Sequence, residues 1–228
     1  MSGQNRESAE KQRMKKKLVI FDFDGTLADT RKAIVAAKQE TMRRLGLPVL
    51  SEEECASSIG LTAPAGFRKC YPELSEDAIE QCVALYRVIF DEMKVSLPPE
   101  LFPGVKAVLD ELKARGVLCT IATSRHTESM NEFLQKLALK PYFPYALGGN
   151  DTEKLKPDPA PVLKTLRDLG IPAEDAIVIG DMPYDIEMGK RAGVETCGVT
   201  YGNADRKTLL NAGADHVIDA ITELPLLL

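Results

Sequence analysis

No apolar run in this sequence approaches the roughly 20 residues a helix needs to span a bilayer, and the N-terminus is polar rather than built around an apolar signal core. A cytoplasmic protein with no membrane partner is the expectation. No basic footprint for nucleic acid is present either: the formal net charge is -5, with acids and bases mixed along the chain. The five cysteines (Cys55, Cys70, Cys82, Cys119 and Cys197) form no Cys-x-x-Cys pair, are odd in number and lie far apart. Neither a disulfide framework nor a zinc site is indicated, and reduced, packing thiols are expected. What remains as a partner is a small molecule, bound by a monomer or homodimer. With 228 residues, 44% of them hydrophobic, the chain can bury a core that serves one large domain or one domain with an insertion.

The pattern along the chain divides it. Residues 1–16 carry no apolar periodicity, run into the basic cluster Lys15-Lys16-Lys17 and read as a frayed tail. Leu18-Val-Ile-Phe21 reads as a buried strand. From Asp29 or Thr30, either of which can cap a helix, the chain is helical: Ile34, Ala37, Thr41, Met42 and Leu45 recur at helical spacing, and Gly46-Leu47-Pro48 ends the segment. Ser51 to Glu54 opens another helix in capping-box style, Gly60 interrupts, and Ser75 caps a long segment to about Val95. No strand candidate occurs in this block, so residues 31–97 read as an all-helical insertion, with Pro98-Pro99 as a stiff return.

Beyond Phe102 helix and strand alternate, which argues for a parallel sheet. Strands are expected at Val117 to Ala122, Tyr145 to Leu147, Ala176 to Ile179, Thr196 to Val199 and His216 to Ile218, with helices between most of them. The fold class is α/β: a doubly wound, Rossmann-like parallel sheet formed by residues 17–30 and 98–228, carrying an inserted helical cap domain.

In such a sheet ligands bind beyond the carboxyl ends of the strands. The first strand ends there on two acids, Asp22 and Asp24, followed by Gly25. An acidic Asp-Gly turn is the bland reading. Yet Asp22-Phe23-Asp24-Gly25-Thr26 resembles the first motif of the haloacid dehalogenase superfamily, whose hydrolases use the first Asp as nucleophile and the second as general acid/base. Three further motifs are similar and fall in order. Thr123, at a strand end, resembles the second, its hydroxyl binding the phosphoryl group, with Ser124 and Gly25 as further phosphate donors through their backbone amides. Lys156, directly before Pro157, resembles the third and is preferred to Lys154. Gly180-Asp181-Met-Pro-Tyr-Asp185 resembles the fourth.

The resemblance implies a Mg²⁺-dependent phosphatase of small phosphate monoesters working through an aspartyl phosphate on Asp22. Mg²⁺ would be held by Asp22, the backbone carbonyl of Asp24 and Asp181, with Asp185 acting through water or by orienting the site; hard oxygen donors suit that ion. Asp24 also argues against the dehalogenase branch, which lacks an acid there. The helical insert resembles the cap of the phosphoglycolate phosphatase-like branch, which makes phosphoglycolate the suggested substrate. Gly60, Leu61 and Thr62 resemble its substrate-facing loop, and Ala63 stands where phosphonoacetaldehyde hydrolases carry lysine and β-phosphoglucomutases arginine. Arg68 and Lys69 are considered for a substrate carboxylate, against a solvated helix face. The alternatives are a phosphomutase and a binding or regulatory protein without turnover. Tyr184 is a further cleft-lining candidate; His126, near the second motif, could reach the site but is expected to begin a helix, and His216 reads as structural.

Overall fold

Alternating faces of buried strands build the centre of the molecule. In the computed structural model, which describes residues 16–228, strand β1 (Leu18–Phe21) is buried along its whole length. Side chains of this size contribute about 1.5–3 kcal/mol each when fully buried. Leu18 and Ile20 pack on one face of the sheet with Val178, Val162 and Leu166. Val19 and Phe21 pack on the other with Ile121, Ile179, Leu109 and Phe133. This period of two places β1 between two helical layers.

The chain continues through β2 (Ala28–Asp29), α1 (Arg31–Arg44), α2 (Glu52–Ala56), α3 (Ala63–Cys70), α4 (Glu76–Ser96) and β3 (Glu100–Leu101). Then come α5 (Val105–Ala114), β4 (Leu118–Ala122), α6 (Thr127–Lys136), β5 (Tyr145–Leu147), α7 (Ala160–Leu169), β6 (Ala176–Gly180), α8 (Pro183–Arg191), β7 (Glu195–Val199), α9 (Arg206–Asn211) and β8 (His216–Ile218). Six strands form one parallel sheet in the order β5-β4-β1-β6-β7-β8. The connection reverses direction at β1, so the crevice of this doubly wound sheet opens at the carboxyl end of β1, between β4 and β6. Phe21 lies level with Ile121 and Ile179. The residues just past these three, Asp22, Thr123 and Asp181, therefore gather at one edge.

Helices α1 to α4 occupy the stretch read as an insertion, with the capping box of Ser51 and Glu54 and the Ser75 cap in place. Its stems hold something the sequence did not suggest: β2 and β3 pair antiparallel, Ala28 with Leu101 and Asp29 with Glu100. Two residues per strand are too few to leave a period in the sequence. Thr30 occupies the N-cap of α1, but its hydroxyl makes no capping bond.

The expected tail lies outside the described residues except for Lys16, which is held rather than frayed: its ammonium meets the Glu174 carbonyl and the Glu195 carboxylate, each at 2.7 Å. Lys17 already hydrogen-bonds along the sheet, to the Asp175 carbonyl and from the Leu118 amide. All five cysteines are free thiols, four of them buried. No described helix is long and apolar enough to cross a membrane.

Candidate active site

The Asp22 amide donates to the Ile179 carbonyl at 2.8 Å, which fixes Asp22 as the first residue past the buried strand. Its carboxylate is buried. The Lys156 ammonium lies 2.6 Å from Asp22 Oδ1 and 2.6 Å from Asp185 Oδ1, so one cation bridges two acids. The contact to Asp22 lies off hydrogen-bond geometry, and neither Asp22 oxygen accepts a well-formed hydrogen bond. Lys154 points elsewhere, exposed and 3.8 Å from Asp158. The Lys156–Pro157 peptide is cis.

Asp181, at the end of β6, is fully buried. Its Oδ2 accepts from the Asn203 amide and side chain, each at 2.8 Å, and its Oδ1 from the Thr26 hydroxyl at 3.3 Å. Gly25 is indispensable to this packing: its φ is +85°, and a Cβ there would sit 2.2 Å from Asp181 Oδ2. Asp185 turns back from the first turn of α8, accepting from the Met182 amide at 3.0 Å. Gly180 makes room for it, since a Cβ at that position would lie 2.2 Å from Asp185 Cβ.

Oxygens of Asp22, Asp181 and Asp185 lie within 4.8 Å of one another, all three residues buried. Burial pushes the Asp22 carboxyl up to about 7; Lys156 opposes that rise, and Asp185 and Asp24 add to it. Burial, and then the charges of Asp185 and Asp22, raise Asp181 well above the carboxylate range. Lys156 is raised in turn, because Asp185 and Asp22 outweigh a burial that would lower it. Three buried carboxylates facing one ammonium leave uncompensated negative charge, a costly arrangement without a further cation. A divalent ion that prefers hard oxygen donors fits this set.

Asp24 is turned the other way. Its carboxylate takes the Thr30 hydroxyl at 2.6 Å and the Arg125 guanidinium at two nitrogens, Nε 3.0 Å from Oδ2 and Nη2 2.5 Å from Oδ1. Arg125 in turn donates to Ser129 and stacks over Phe133 of α6 and Phe90 of α4. The Asp24 carboxylate is therefore not part of the acidic triad, and only its backbone carbonyl is left for the ligand role that the sequence suggested.

Thr123 is buried, its hydroxyl accepting from the Arg125 amide at 3.3 Å. The Ser124 hydroxyl oxygen is buried without a partner. Both line a cavity of about 680 Å³, together with Asp24 and Arg125 from below and Lys38, Gly60, Leu61 and Thr62 from the helices. The Thr62 hydroxyl also caps α3, accepting from the Ala65 amide.

Arg68 does not line this cavity. It projects from the solvent side of α3 and pairs with Glu76. Lys69 spans from the helices to the core, donating to the Ser57 carbonyl at 2.7 Å and to the Tyr184 hydroxyl at 3.1 Å. His126 lines the cavity at the N-cap of α6 and meets Glu128, and His216 pairs with Glu195. Three residues escaped the sequence reading: Arg125, Asn203 and Lys38. Arg125 follows Thr123-Ser124 directly, and Lys38 is a lone cation on the buried face marked by Ile34, Ala37 and Thr41; both positions carried a signal. Asn203 carried none beyond its neighbouring Gly202.

Known proteins resemble this chain along most of its length. The family model described as haloacid dehalogenase-like hydrolase matches residues 19–199. A Clostridium perfringens protein named "Putative pyrophosphatase PpaX" is 31% identical over 208 residues, covering 91% of this chain and 95% of its own. A phosphoglycolate phosphatase of Aquifex aeolicus is 33% identical over 187 residues, covering 82% and 85% respectively. Among solved structures, a hydrolase from Pseudomonas syringae superposes with a TM-score of 0.84 at 25% identity, covering 93% of this chain and 98% of its own. With that match over residues 19–199, most of its length, the chain belongs to the haloacid dehalogenase-like hydrolase family.

Proposed function

We propose that the protein is a Mg²⁺-dependent phosphatase that hydrolyses a small phosphorylated metabolite, with Asp22 as nucleophile. One observation carries this reading. Among the described residues, the buried side-chain polar atoms without a hydrogen-bond partner are both oxygens of Asp22 and the hydroxyl oxygen of Ser124. Asp22 Oδ1 has the Lys156 ammonium at 2.6 Å as an ion-pair partner, but Asp22 Oδ2 and the Ser124 hydroxyl have none. Buried polar groups are nearly always satisfied, so these two, just past the ends of neighbouring strands, are prepared for something outside the protein. A phosphoryl group supplies both needs: an electrophilic phosphorus for the carboxylate and oxygens for the hydroxyl.

Mg²⁺ bound by Asp22, Asp181 and the Asp24 carbonyl, with Asp185 behind, would neutralise phosphate charge that otherwise repels a carboxylate nucleophile. Lys156 contributes a fixed positive charge to the same end, held in place by Asp185. Thr123 and Ser124 offer hydroxyls to the phosphoryl oxygens. Attack by an Asp22 oxygen forms the aspartyl phosphate as the ester P–O bond breaks, and Asp24 delivers a proton to the departing oxygen. Asp24 then takes a proton from water, which attacks phosphorus and releases Asp22. Because Thr30 and Arg125 hold the Asp24 carboxylate, each proton transfer requires it to exchange those partners.

Residues 31–97 act in this reading as a cap that closes over the cavity, hinged where β2 and β3 pair, and exclude water during the reaction. Phosphoglycolate is the first substrate to test, since a relative carries that name. The experiment is phosphate release from a panel of phosphorylated metabolites with Mg²⁺. Release from at least one compound at enzymatic rates supports the reading, and no release from any overturns it.

A further inference from the structure

We infer that Lys38 is a specificity-determining residue, reading a second anionic group on the substrate from the helical side of the cavity that Thr123 and Ser124 line from the sheet. The inference rests on the phosphatase reading and deepens it. Lys38 projects from α1, is only 4% exposed, and lines the same cavity as Asp24 and Thr123. Of the basic side chains lining that cavity, Lys94, Arg125 and His126 are each paired with a carboxylate. Lys38 and Arg87 have no acid within 4 Å among the described residues, and of these two only Lys38 is buried, where a charge is felt most strongly.

A structural role explains Lys38 less well. Its ammonium donates to the Cys55 carbonyl at 3.2 Å and to the Ser58 hydroxyl. The Ser58 hydroxyl itself donates to that carbonyl at 2.9 Å, so the end of α2 is satisfied without the lysine. An ammonium has three donors, and these contacts use two. Of the titratable groups facing it, the Cys55 and Cys70 thiols carry no formal negative charge and Lys69 is itself a cation. A buried cation without a counter-ion is retained at a cost in stability unless something else supplies the anion. A carboxylate or a second phosphate on the leaving part of the substrate would supply it.

The test compares kcat/KM for three probes on the wild type, Lys38→Met and Lys38→Gln: phosphoglycolate, pyrophosphate, and 2-hydroxyethyl phosphate, which replaces the carboxylate by an uncharged carbinol. The wild type should prefer one of the two anionic probes, and which one identifies the group as carboxylate or phosphate. Both variants should lose about tenfold or more of that preference, chiefly through KM, as expected when an interaction of roughly 1.4 kcal/mol is removed. Lys38→Gln can keep the hydrogen bonds to Cys55 and Ser58 without the charge, so it separates charge from scaffolding. Equal loss on all three probes, a preference retained by Lys38→Gln, or a wild type without preference would overturn the inference and leave the phosphatase reading standing. Failure of the wild type on every probe and on the wider metabolite panel would overturn both.

Discussion

The guanidinium of Arg125 lies across the carboxylate of Asp24, with Nε 3.0 Å from Oδ2 and Nη2 2.5 Å from Oδ1, both side chains at most a tenth exposed. Removing one partner of such a pair strands the other as a buried charge. Arg125→Met is therefore expected to destabilise the fold by about 3–5 kcal/mol, measured by urea unfolding. Asp24→Asn combined with Arg125→Met should recover much of that loss. A double variant as unstable as the sum of the two single ones would show that the pair is not coupled.

A second expectation concerns the acidic triad. Asp22, Asp181 and Asp185 outnumber Lys156, and burial already holds Asp22 and Asp181 above the ordinary carboxylate range. Mg²⁺ should raise the melting temperature, since an ion that binds only the folded state at 100 times its Kd stabilises by about 2.7 kcal/mol. Asp181→Asn should abolish most of this rise, and EDTA should reverse it in the wild type. A melting temperature indifferent to Mg²⁺ would remove the metal from the account.

Lys38 carries a pH signature. Burial lowers its ammonium to about 8, from an ordinary 10.5, and Lys69 on the neighbouring α3 reinforces that. Between these two values the unfolded chain holds a proton that the folded one has released, so stability should rise with pH through that window. Lys38→Met should lack the rise and be more stable at pH 7 by roughly 3 kcal/mol, measured by urea unfolding across pH 7 to 10.5. A gain in stability alongside a loss in substrate preference is the mark of a functional residue. Destabilisation at pH 7 would mark a scaffold.

Gly25 offers a steric test. A Cβ would meet Asp181 Oδ2 and Asn203 Nδ2, 2.2 and 2.5 Å away, at a φ of +85°. Gly25→Ala should therefore lose turnover and Mg²⁺-dependent stabilisation together. Retention of both would mean that the Asp181 region has more room than its packing suggests.

Much of this was legible in the residues. The apolar run ending at Asp22, the alternation after Phe102 and the four motifs pointed to the sheet and to Asp22, Asp181, Asp185 and Lys156: a parallel sheet delivers the strand-end acids to one edge, and Lys156 reaches them from the loop between β5 and α7. The β2–β3 pairing was not legible, being too short to impose a period. The sequence offers Asp29 or Thr30 as the cap of α1, yet the Thr30 hydroxyl reaches Asp24, a tertiary bond that local sequence cannot announce. Arg68 turns to solvent and pairs with Glu76, while Lys38 shares the buried stripe of α1 with Ile34, Ala37 and Thr41, a placement their helical spacing carries.

The claim on which the rest depends is that Asp22 carries the phosphoryl group. Turnover with Mg²⁺ and the best substrate, quenched rapidly and reduced with borohydride, should convert part of residue 22 from aspartate to homoserine, detectable by peptide mass spectrometry. Asp22→Asn should show neither homoserine nor phosphate release. Homoserine absent from residue 22 during active turnover, or phosphate release surviving in Asp22→Asn, would contradict the account.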